Sequence, residues 1–373
     1  MKFKINLCNV AILITFFIIY ICPTYYLEAN GIRVSSVLFA FFMLLGILYY
    51  FVNKKLHWYD YIYMLVIGGC ILYQKSISAL VLLTPLFVEK VFDEKYKEQI
   101  KELLMKSSLP YIALYFTLFY SVYYGRLDGR YLHTGVFEVN SSGLAVLLLG
   151  LIFLKRKKWI GCIVLAMGIL SLSRNYILVL CVCILLNTKS LKKFIQKINI
   201  SKYINFGSIM LVSSIVLYIL GKTCEIKYTN GLIVYESDFW GRVFNFYDIS
   251  NYFRFTVNVY LIEGFLLNPQ YLLFGIDTLS FSKMCYSMAS MRKQWYHGNN
   301  PHNFLFAYTK LYGIAGILDC LYICKIMKKI VNNYNYFIMV GISIYCIFLS
   351  VGVNSYWLII SYITLILYEN GGF

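Results

Sequence analysis

The chain has 373 residues, of which 60% are hydrophobic and only 14% are charged. Soluble domains are typically about half apolar and about a quarter charged, so this composition excludes an ordinary soluble enzyme and a disordered chain. Lys and Arg outnumber Asp and Glu by 34 to 17, which gives a net charge of +17. Nucleic acid is not the expected partner, because cytoplasmic loops of membrane proteins collect the same excess. The composition predicts an all-α polytopic membrane protein.

Apolar runs recur along the whole chain, separated by short polar segments. A helix of about 20 apolar residues crosses a bilayer, and the runs predict about 12 transmembrane helices. The predicted spans are residues 5–22, 34–52, 58–73, 76–92, 109–124, 141–154, 159–171, 175–187, 203–221, 303–323, 336–351 and 355–368. The runs at 159–171 and 175–187 are short and also fit one broken hairpin. We expect residues 1–373 to form a single integral membrane domain.

Charge in the short loops predicts the orientation. Of the 34 Lys and Arg residues, 21 fall in one alternate set of segments. Short loops rich in Lys and Arg stay in the cytoplasm. We therefore expect a multi-pass protein of the cytoplasmic (inner) membrane with both termini cytoplasmic. Residues 222–302 would form a long extracytoplasmic loop before the tenth span, with interfacial helices, one of which covers residues 255–267 and stops at Asn268-Pro269.

Arginine is distributed differently from lysine. Seven of the eight arginines fall on the predicted outer side, and only Arg156 falls inside. Guanidinium matches phosphate through a planar fork of donors, whereas ammonium is a point charge. The bias predicts arginines that bind a lipid-linked phosphate, although contacts with headgroups or nearby acids would also explain any single one. Arg174 is the strongest candidate, because it lies between two apolar runs with no other charge nearby.

The long outer loop ends in a histidine-containing segment, His297-Gly298-Asn299-Asn300-Pro301-His302-Asn303. Pro301 at the start of a helix would place His302 in its first turn at the membrane surface. A neutral imidazole there accepts a proton from a hydroxyl near pH 7. An interfacial histidine bonded to backbone is the alternative.

Metal and disulfide chemistry have weaker support. His297 and His302 lack the spacing of paired helical ligands, so we expect no metal and no cofactor. Glu236 and Asp238 are the alternative, since an acidic pair could hold a divalent ion against a diphosphate. Nine of the eleven cysteines lie in apolar runs. Cys224 and Cys285 lie in the outer loop and could pair in an oxidising space.

Several motifs now resemble a known family. His302-Asn303-x-Leu305, followed by Gly313-Ile314-Ala315-Gly316, resembles the "HN-x-x-L … GI-x-G" signature of the O-antigen polymerase and ligase superfamily. The segment from Pro269 to Asp277 is similar to its "P-l-x-G-x-G" motif, with Asp277 where glycine is usual. Ser173-Arg174 resembles its "SR" turn, and Arg130 with Asn140 resembles an Arg–Gly–Asn pattern before a span.

The resemblance implies an O-antigen or capsular polysaccharide polymerase with a GT-C-like fold. Such an enzyme is an inverting, metal-independent glycosyltransferase that joins undecaprenyl-diphosphate-linked repeat units outside the cytoplasmic membrane. His302 would be the base, with Arg174 and Arg254 as diphosphate clamps. The predicted substrate-binding residues are Arg126, Arg130, Arg242 and Asn303.

Two other functions remain open. A polysaccharide ligase would use the same site on another acceptor, and a lipid-linked glycan flippase or transporter would share the membrane location. The spans carry few acids, with Asp319 the main exception, which disfavours a transporter. The implied partners are the lipid-linked donor and acceptor glycans, the bilayer, and a chain-length regulator and flippase of the same pathway.

Overall fold

The computed structural model describes residues 7–22, 28–29, 32–53, 56–75, 77–92, 94–128, 132–134, 139–171, 173–234, 245, 247–294, 296, 301, 303–348 and 356–369. Over these residues the chain folds into nineteen α-helices, joined by short 3₁₀ and π segments. One antiparallel pair of two-residue strands, β1 (Glu28–Ala29) and β2 (Ile32–Arg33), follows the first helix. The predicted all-α class is confirmed.

The helices of the first half follow the predicted apolar runs closely. They are α1 (Leu7–Phe16, continued by a π segment Phe17–Ile21), α2 (Val34–Asn53), α3 (Trp58–Gln74), α4 (Thr84–Val91, preceded by a 3₁₀ segment Ile77–Leu83), α5 (Lys97–Lys106, preceded by a 3₁₀ turn Glu94–Tyr96), α6 (Leu109–Asp128), α7 (Val139–Arg156), α8 (Lys158–Met167, continued by a 3₁₀ segment Gly168–Ser171) and α9 (Arg174–Leu186).

The second half contains the helices of the predicted outer loop. They are α10 (Lys189–Ile198), α11 (Ile200–Tyr203), α12 (Phe206–Thr229), α13 (Ile249–Leu267), α14 (Pro269–Phe274), α15 (Thr278–Met291), α16 (Phe304–Tyr312), α17 (Ile314–Ile330), α18 (Tyr336–Phe348) and α19 (Tyr356–Leu367). The predicted stop at Asn268-Pro269 is confirmed, because α13 ends at Leu267 and a new helix begins at Pro269.

One helix within the described ranges, α12, is long and apolar enough to cross a membrane by length and composition. Shorter apolar stretches of 10–17 residues lie at Leu7–Ile21, Ala40–Tyr49, Lys158–Ser171, Arg174–Leu186, Tyr336–Ile347 and Trp357–Leu367. The number of spans therefore stays a prediction.

Segments that the sequence assigns to the cytoplasm meet at one end of the helix bundle. Arg156 Nη1 donates to the Leu104 carbonyl at 3.3 Å, and Lys97 Nζ lies 2.6 Å from Glu369 Oε1. The same end contains the pairs Lys325–Glu89 and Ser201–Asn333. These contacts join segments that are far apart in the chain and that carry many of its lysines, and this end of the bundle is called the lysine-rich end below.

The opposite end is built from the other set of segments. Tyr20, in the π segment after α1, donates to the Ala145 carbonyl near the start of α7 at 2.6 Å. A Cβ on Gly143 would lie 2.8 Å from Tyr345 Oη and 3.4 Å from the Tyr176 ring. The start of α7, the start of α9 and the end of α18 therefore lie together.

The predicted span 303–323 is wrong as a single helix. The chain breaks at Gly313, whose φ is +56°, and α17 turns back along α16. A Cβ on Gly316 would lie 2.2 Å from the Tyr308 carbonyl oxygen, whereas residues eight apart in a straight helix are separated by about 12 Å. The two helices form an antiparallel hairpin, so residues 303–323 belong to two helices rather than one.

Packing against α3 gives the directions of this hairpin. Cys70 Sγ lies 4.0 Å from the Tyr312 carbonyl at the end of α16. Tyr322, further along α17, donates to Asp60 near the start of α3 at 2.9 Å. Thus α17 runs antiparallel to α3 and α16 runs roughly parallel to it. The start of α16 therefore lies deep in the bundle, and its end lies at the end of the bundle opposite the lysine-rich one.

The cysteine pairing left open by the sequence does not form. Cys224 and Cys285 are both buried and free. Cys224 packs with Tyr252 and Phe255 on one side of α13, whereas Cys285 packs in a separate cluster with Val257 on another side. Helix α13 stands between the two thiols.

Candidate functional site

Two of the motifs that carry the family resemblance are in direct contact. Gly275 has a φ of +82°, and a Cβ there would lie 2.3 Å from the Leu311 carbonyl oxygen. The Ile276 N–H donates to the Lys310 carbonyl at 2.7 Å. The segment after α14 therefore packs backbone to backbone against the end of α16, which only glycine at positions 275 and 313 permits.

Gln74 closes this junction from the end of α3. Its Nε2 donates to the Phe274 carbonyl at 2.9 Å and also to the Leu311 carbonyl. Both carbonyls lie in the last turn of a helix, where no intrahelical donor remains. The Tyr73 ring stacks on Phe274 with centroids 4.2 Å apart. The Phe274 and Leu311 carbonyls therefore have a hydrogen-bond donor within the protein.

Asp277, which replaces a usual glycine in the second motif, caps helix α15. Its Oδ1 accepts from the N–H groups of Leu279 and Ser280, each at 2.9 Å. Hydrogen bonds from Ser280 are the largest effect on this carboxyl and hold its pKa below the ordinary value. Behind it, buried Lys310 donates to Thr278 Oγ1 at 3.1 Å. Nothing in the sequence distinguishes Lys310, because a single lysine within an apolar run does not indicate a partner.

Helix α16 begins at Phe304, two residues after His302, so His302 precedes the helix instead of lying in its first turn. Asn303 is the N-cap, and its Oδ1 accepts from the N–H groups of Leu305 at 2.9 Å and Phe306 at 3.3 Å. The prediction that Pro301 starts the helix is wrong, because the Asn303 side chain supplies the stronger cap. His302 itself lies outside the described residues.

Asn303 is fully buried and also ties α16 to the middle of α12. Ser214 Oγ donates to Asn303 Oδ1 at 3.3 Å, and Asn303 Nδ2 lies 3.5 Å from Ser213 Oγ. The side chain therefore has a capping and bracing role. Its predicted role in substrate binding stays a prediction.

Arg254 is a half-buried residue of α13, a helix that contacts α16. Asn258, one turn later, is fully buried and donates to the Arg254 carbonyl at 3.0 Å. Phe306 of α16 packs against both the cluster that contains Phe255 and the cluster that contains Val257. The structure thus brings Arg254 and Asn303 into one region.

Arg174 is the first residue of α9 and is half-buried. The preceding Ser173 caps the helix by accepting from the Tyr176 N–H at 3.3 Å. The end of α18 lies between α9 and α13, since Ile347 contacts the cluster that contains Phe255. Arg174 and Arg254 therefore flank the same end of α18.

Most other predicted site residues fall outside the described part of the chain. Arg130, Arg242 and the acidic pair Glu236 and Asp238 lie there, and Arg126 is described only as backbone in the last turn of α6. Their predicted roles stay predictions. No group of three or more His, Cys, Asp or Glu residues suited to a metal ion occurs among the residues that are described.

One outer arginine has a structural role instead. Arg292 Nη1 lies 2.7 Å from Glu225 Oε1, and Arg292 also pairs with Glu263. Lys222 Nζ lies 2.7 Å from Glu263 Oε1 and 3.2 Å from Glu225 Oε2. These four residues, the charge clamp, join α12, α13 and the end of α15. At least one arginine of the predicted outer set therefore has an architectural role.

No family model, no curated protein and no solved structure matches this chain.

Proposed function

We propose that the protein is a membrane-embedded glycosyltransferase that polymerises undecaprenyl-diphosphate-linked oligosaccharide repeat units. One observation carries the proposal: the described residues of the motifs at 268–277 and 303–317 come from separate parts of the sequence, yet they are in direct backbone contact. The contact between Gly275 and Leu311 joins the motif at 268–277 to the motif at 303–317. Arg174, in the motif at 172–175, lies across the end of α18 from Arg254.

The chemistry assigns a role to each residue type. A sugar hydroxyl of the acceptor must lose a proton as it attacks the donor sugar, and His302 is the proposed base. The leaving lipid diphosphate gains negative charge, which Arg174 and Arg254 would stabilise through bidentate hydrogen bonds. Arg126, Arg130 and Arg242 are proposed to hold the donor and acceptor chains.

The proposal includes a location in the cytoplasmic membrane. The proposed twelve spans are α1, α2, α3, the 77–91 segment, α6, α7, the 158–171 segment, α9, α12, α17, α18 and α19. The lysine-rich end would then face the cytoplasm and the Arg174 end would face outwards. Cysteine labelling of intact cells tests it: residues introduced at 193 and 240 should be labelled from opposite sides.

The decisive experiment supplies the purified protein with a lipid-linked repeat unit in the presence of EDTA. A ladder of products with regular spacing is expected. Transfer of one glycan to a different acceptor without a ladder would instead favour the ligase, and movement of the lipid-linked unit across vesicles without transfer would favour the flippase. Loss of the ladder with EDTA would indicate a metal-dependent enzyme, with Glu236 and Asp238 as the candidate ligands.

A further inference from the structure

A second polar cluster lies away from the proposed site, between α3, α4 and α17. Asp319 of α17 is fully buried. Its Oδ1 lies 2.6 Å from Tyr63 Oη of α3, and its Oδ2 has no hydrogen-bond partner within the described ranges. A buried carboxylate in such a position is costly, because neither a cation nor a set of donors replaces its lost hydration.

The cations nearby are engaged with other acids. Lys90 Nζ lies 3.1 Å from Asp60 Oδ2, and Lys325 Nζ lies 3.0 Å from Glu89 Oε1. Tyr322 Oη also contacts both acids, at 2.9 Å from Asp60 Oδ1 and close to Glu89 Oε2, and its one hydrogen serves one of them at a time. Asp60 and Glu89 thus have partners of opposite charge, and no described lysine or arginine pairs with Asp319.

The hydrogen-bond count at Tyr63 leaves room for a hydrogen on Asp319. Tyr63 Oη contacts both Asp319 Oδ1 and the Leu82 carbonyl oxygen. A phenol has one hydrogen to donate, and a backbone carbonyl only accepts. If Tyr63 donates to Leu82, the contact with Asp319 requires a hydrogen on Asp319 Oδ1. Oδ2 is then the carbonyl oxygen of a neutral acid, which is far cheaper to bury without a partner than a carboxylate oxygen.

We propose that Asp319 and Tyr63 form a buried proton-binding site, in which Asp319 Oδ1–H donates to Tyr63 Oη and Tyr63 Oη–H donates to the Leu82 carbonyl. A metal ion is disfavoured as the occupant, because a hard cation needs about six oxygen ligands and Asp319 Oδ2 contacts no described polar group. The site is independent of the proposed glycosyl transfer.

The surroundings contain other titratable groups that any pH experiment must consider. Those facing the site are Asp60 and Tyr63 of α3, Glu89 and Lys90 of α4, Tyr308 of α16, and Cys320, Tyr322 and Lys325 of α17. Asp60 offers the matched control, since it is an equally buried aspartate in the same cluster but is paired with Lys90.

Infrared difference spectroscopy of the full-length protein in detergent tests the proposal. The wild type at pH 7 should show a protonated-carboxyl band that shifts in heavy water, disappears in Asp319→Asn and persists in Asp60→Asn. Tyr63→Phe should move the band without removing it. A wild-type spectrum without the band, or one in which the band survives Asp319→Asn, overturns the proposal.

Thermal melting gives a second readout. Asp319→Asn keeps the shape and the donor, so it should melt at or above the wild-type temperature, whereas Asp60→Asn should melt several degrees lower because Lys90 loses its partner. Above pH 5 the folded-to-unfolded ratio should shift in favour of Asp319→Asn by up to about tenfold per pH unit, because the unfolded wild type releases the proton that the folded chain holds. A melting temperature of Asp319→Asn below that of the wild type, as expected for Asp60→Asn, would contradict the proposal that Asp319 is protonated.

Discussion

A Cβ on Gly313 would lie 2.7 Å from the backbone nitrogen of Gly275. The two glycines, 38 positions apart in the sequence, both have positive φ values and allow the α14 segment to cross the turn of the α16–α17 hairpin. The segment and the hairpin therefore form one packed unit, which positions the start of α16 near α12 and α13.

Gly313→Ala should destabilise the protein much more than Gly231→Ala. Both positions have positive φ, which costs a residue with a Cβ about 1–2 kcal/mol. A Cβ at Gly231 meets nothing within 4 Å, whereas one at Gly313 also meets the Leu273 carbonyl at 2.6 Å, and such overpacking adds about 1–3 kcal/mol. Thermal melting in detergent measures the difference. Equal losses would mean that the hairpin turn is not tightly packed.

Asn303→Ala should reduce stability by about 0.5–2 kcal/mol, the usual value of an N-cap. Asn205→Ala is the matched control, because Asn205 caps α12 through Ser208 far from the proposed site. If Asn303 also binds substrate, its variant should lose transferase activity well beyond that of Asn205→Ala at equal stability. Similar activities in the two variants would leave Asn303 with the structural role alone.

Arg292→Ala should destabilise the protein by about 1–3 kcal/mol through loss of its bonds to two glutamates. In a double-mutant cycle with Glu263→Gln, the double variant should lose less stability than the sum of the losses in the two single variants, because both substitutions remove the same interaction. Additive losses would show that the clamp residues act separately.

The charge clamp also predicts an acid-sensitive contribution to stability. Burial raises the pKa of Glu263, but hydrogen bonds from Lys222 and Arg292 outweigh it and bring the pKa below the ordinary 4.5. The contribution is therefore fully present above pH 4.5 and is lost as the pH falls through the lower folded value. Melting curves between pH 3 and 7 should show this loss in the wild type and a smaller one in Glu263→Gln.

Arg174→Lys should reduce polymer formation although the charge is kept. Loss of a bidentate bond to a diphosphate costs about 1.5–3 kcal/mol, or about 10- to 150-fold in rate. Arg33→Lys, away from the motifs, should be nearly silent. If both variants behave alike, the clamp role fails and the arginine bias has another cause.

His302→Ala should insert and bind the lipid-linked donor but lose about 10²–10⁴-fold in rate, as expected for removal of a base. His297→Ala should cost far less. Near wild-type polymerisation by His302→Ala, measured as product ladders over time, would exclude the histidine as the base.

Apolar runs predicted most of the long helices, because both burial and contact with lipid require apolar side chains along the whole length of a helix. Thus α13 ends at Asn268-Pro269 as expected, since proline cannot continue a helix. The hairpin at Gly313 was missed because glycine is common within apolar helices, and only its positive φ and the contact with Gly275 distinguish it. The partners of Arg292 could not be predicted either. Glu225 precedes Arg292 by 67 positions, and sequence spacing does not indicate which acid an arginine pairs with.

The depth of the start of α16 has a consequence for the competing reaction with water. The nine residues of α16 rise about 13 Å, so fully buried Asn303 lies about that far from the Gly313 turn. Under the proposed function, an acceptor hydroxyl at the depth of Asn303 is no longer in contact with bulk solvent. Water is then scarce where the donor bond breaks, so transfer of the glycan to another sugar should exceed its wasteful hydrolysis.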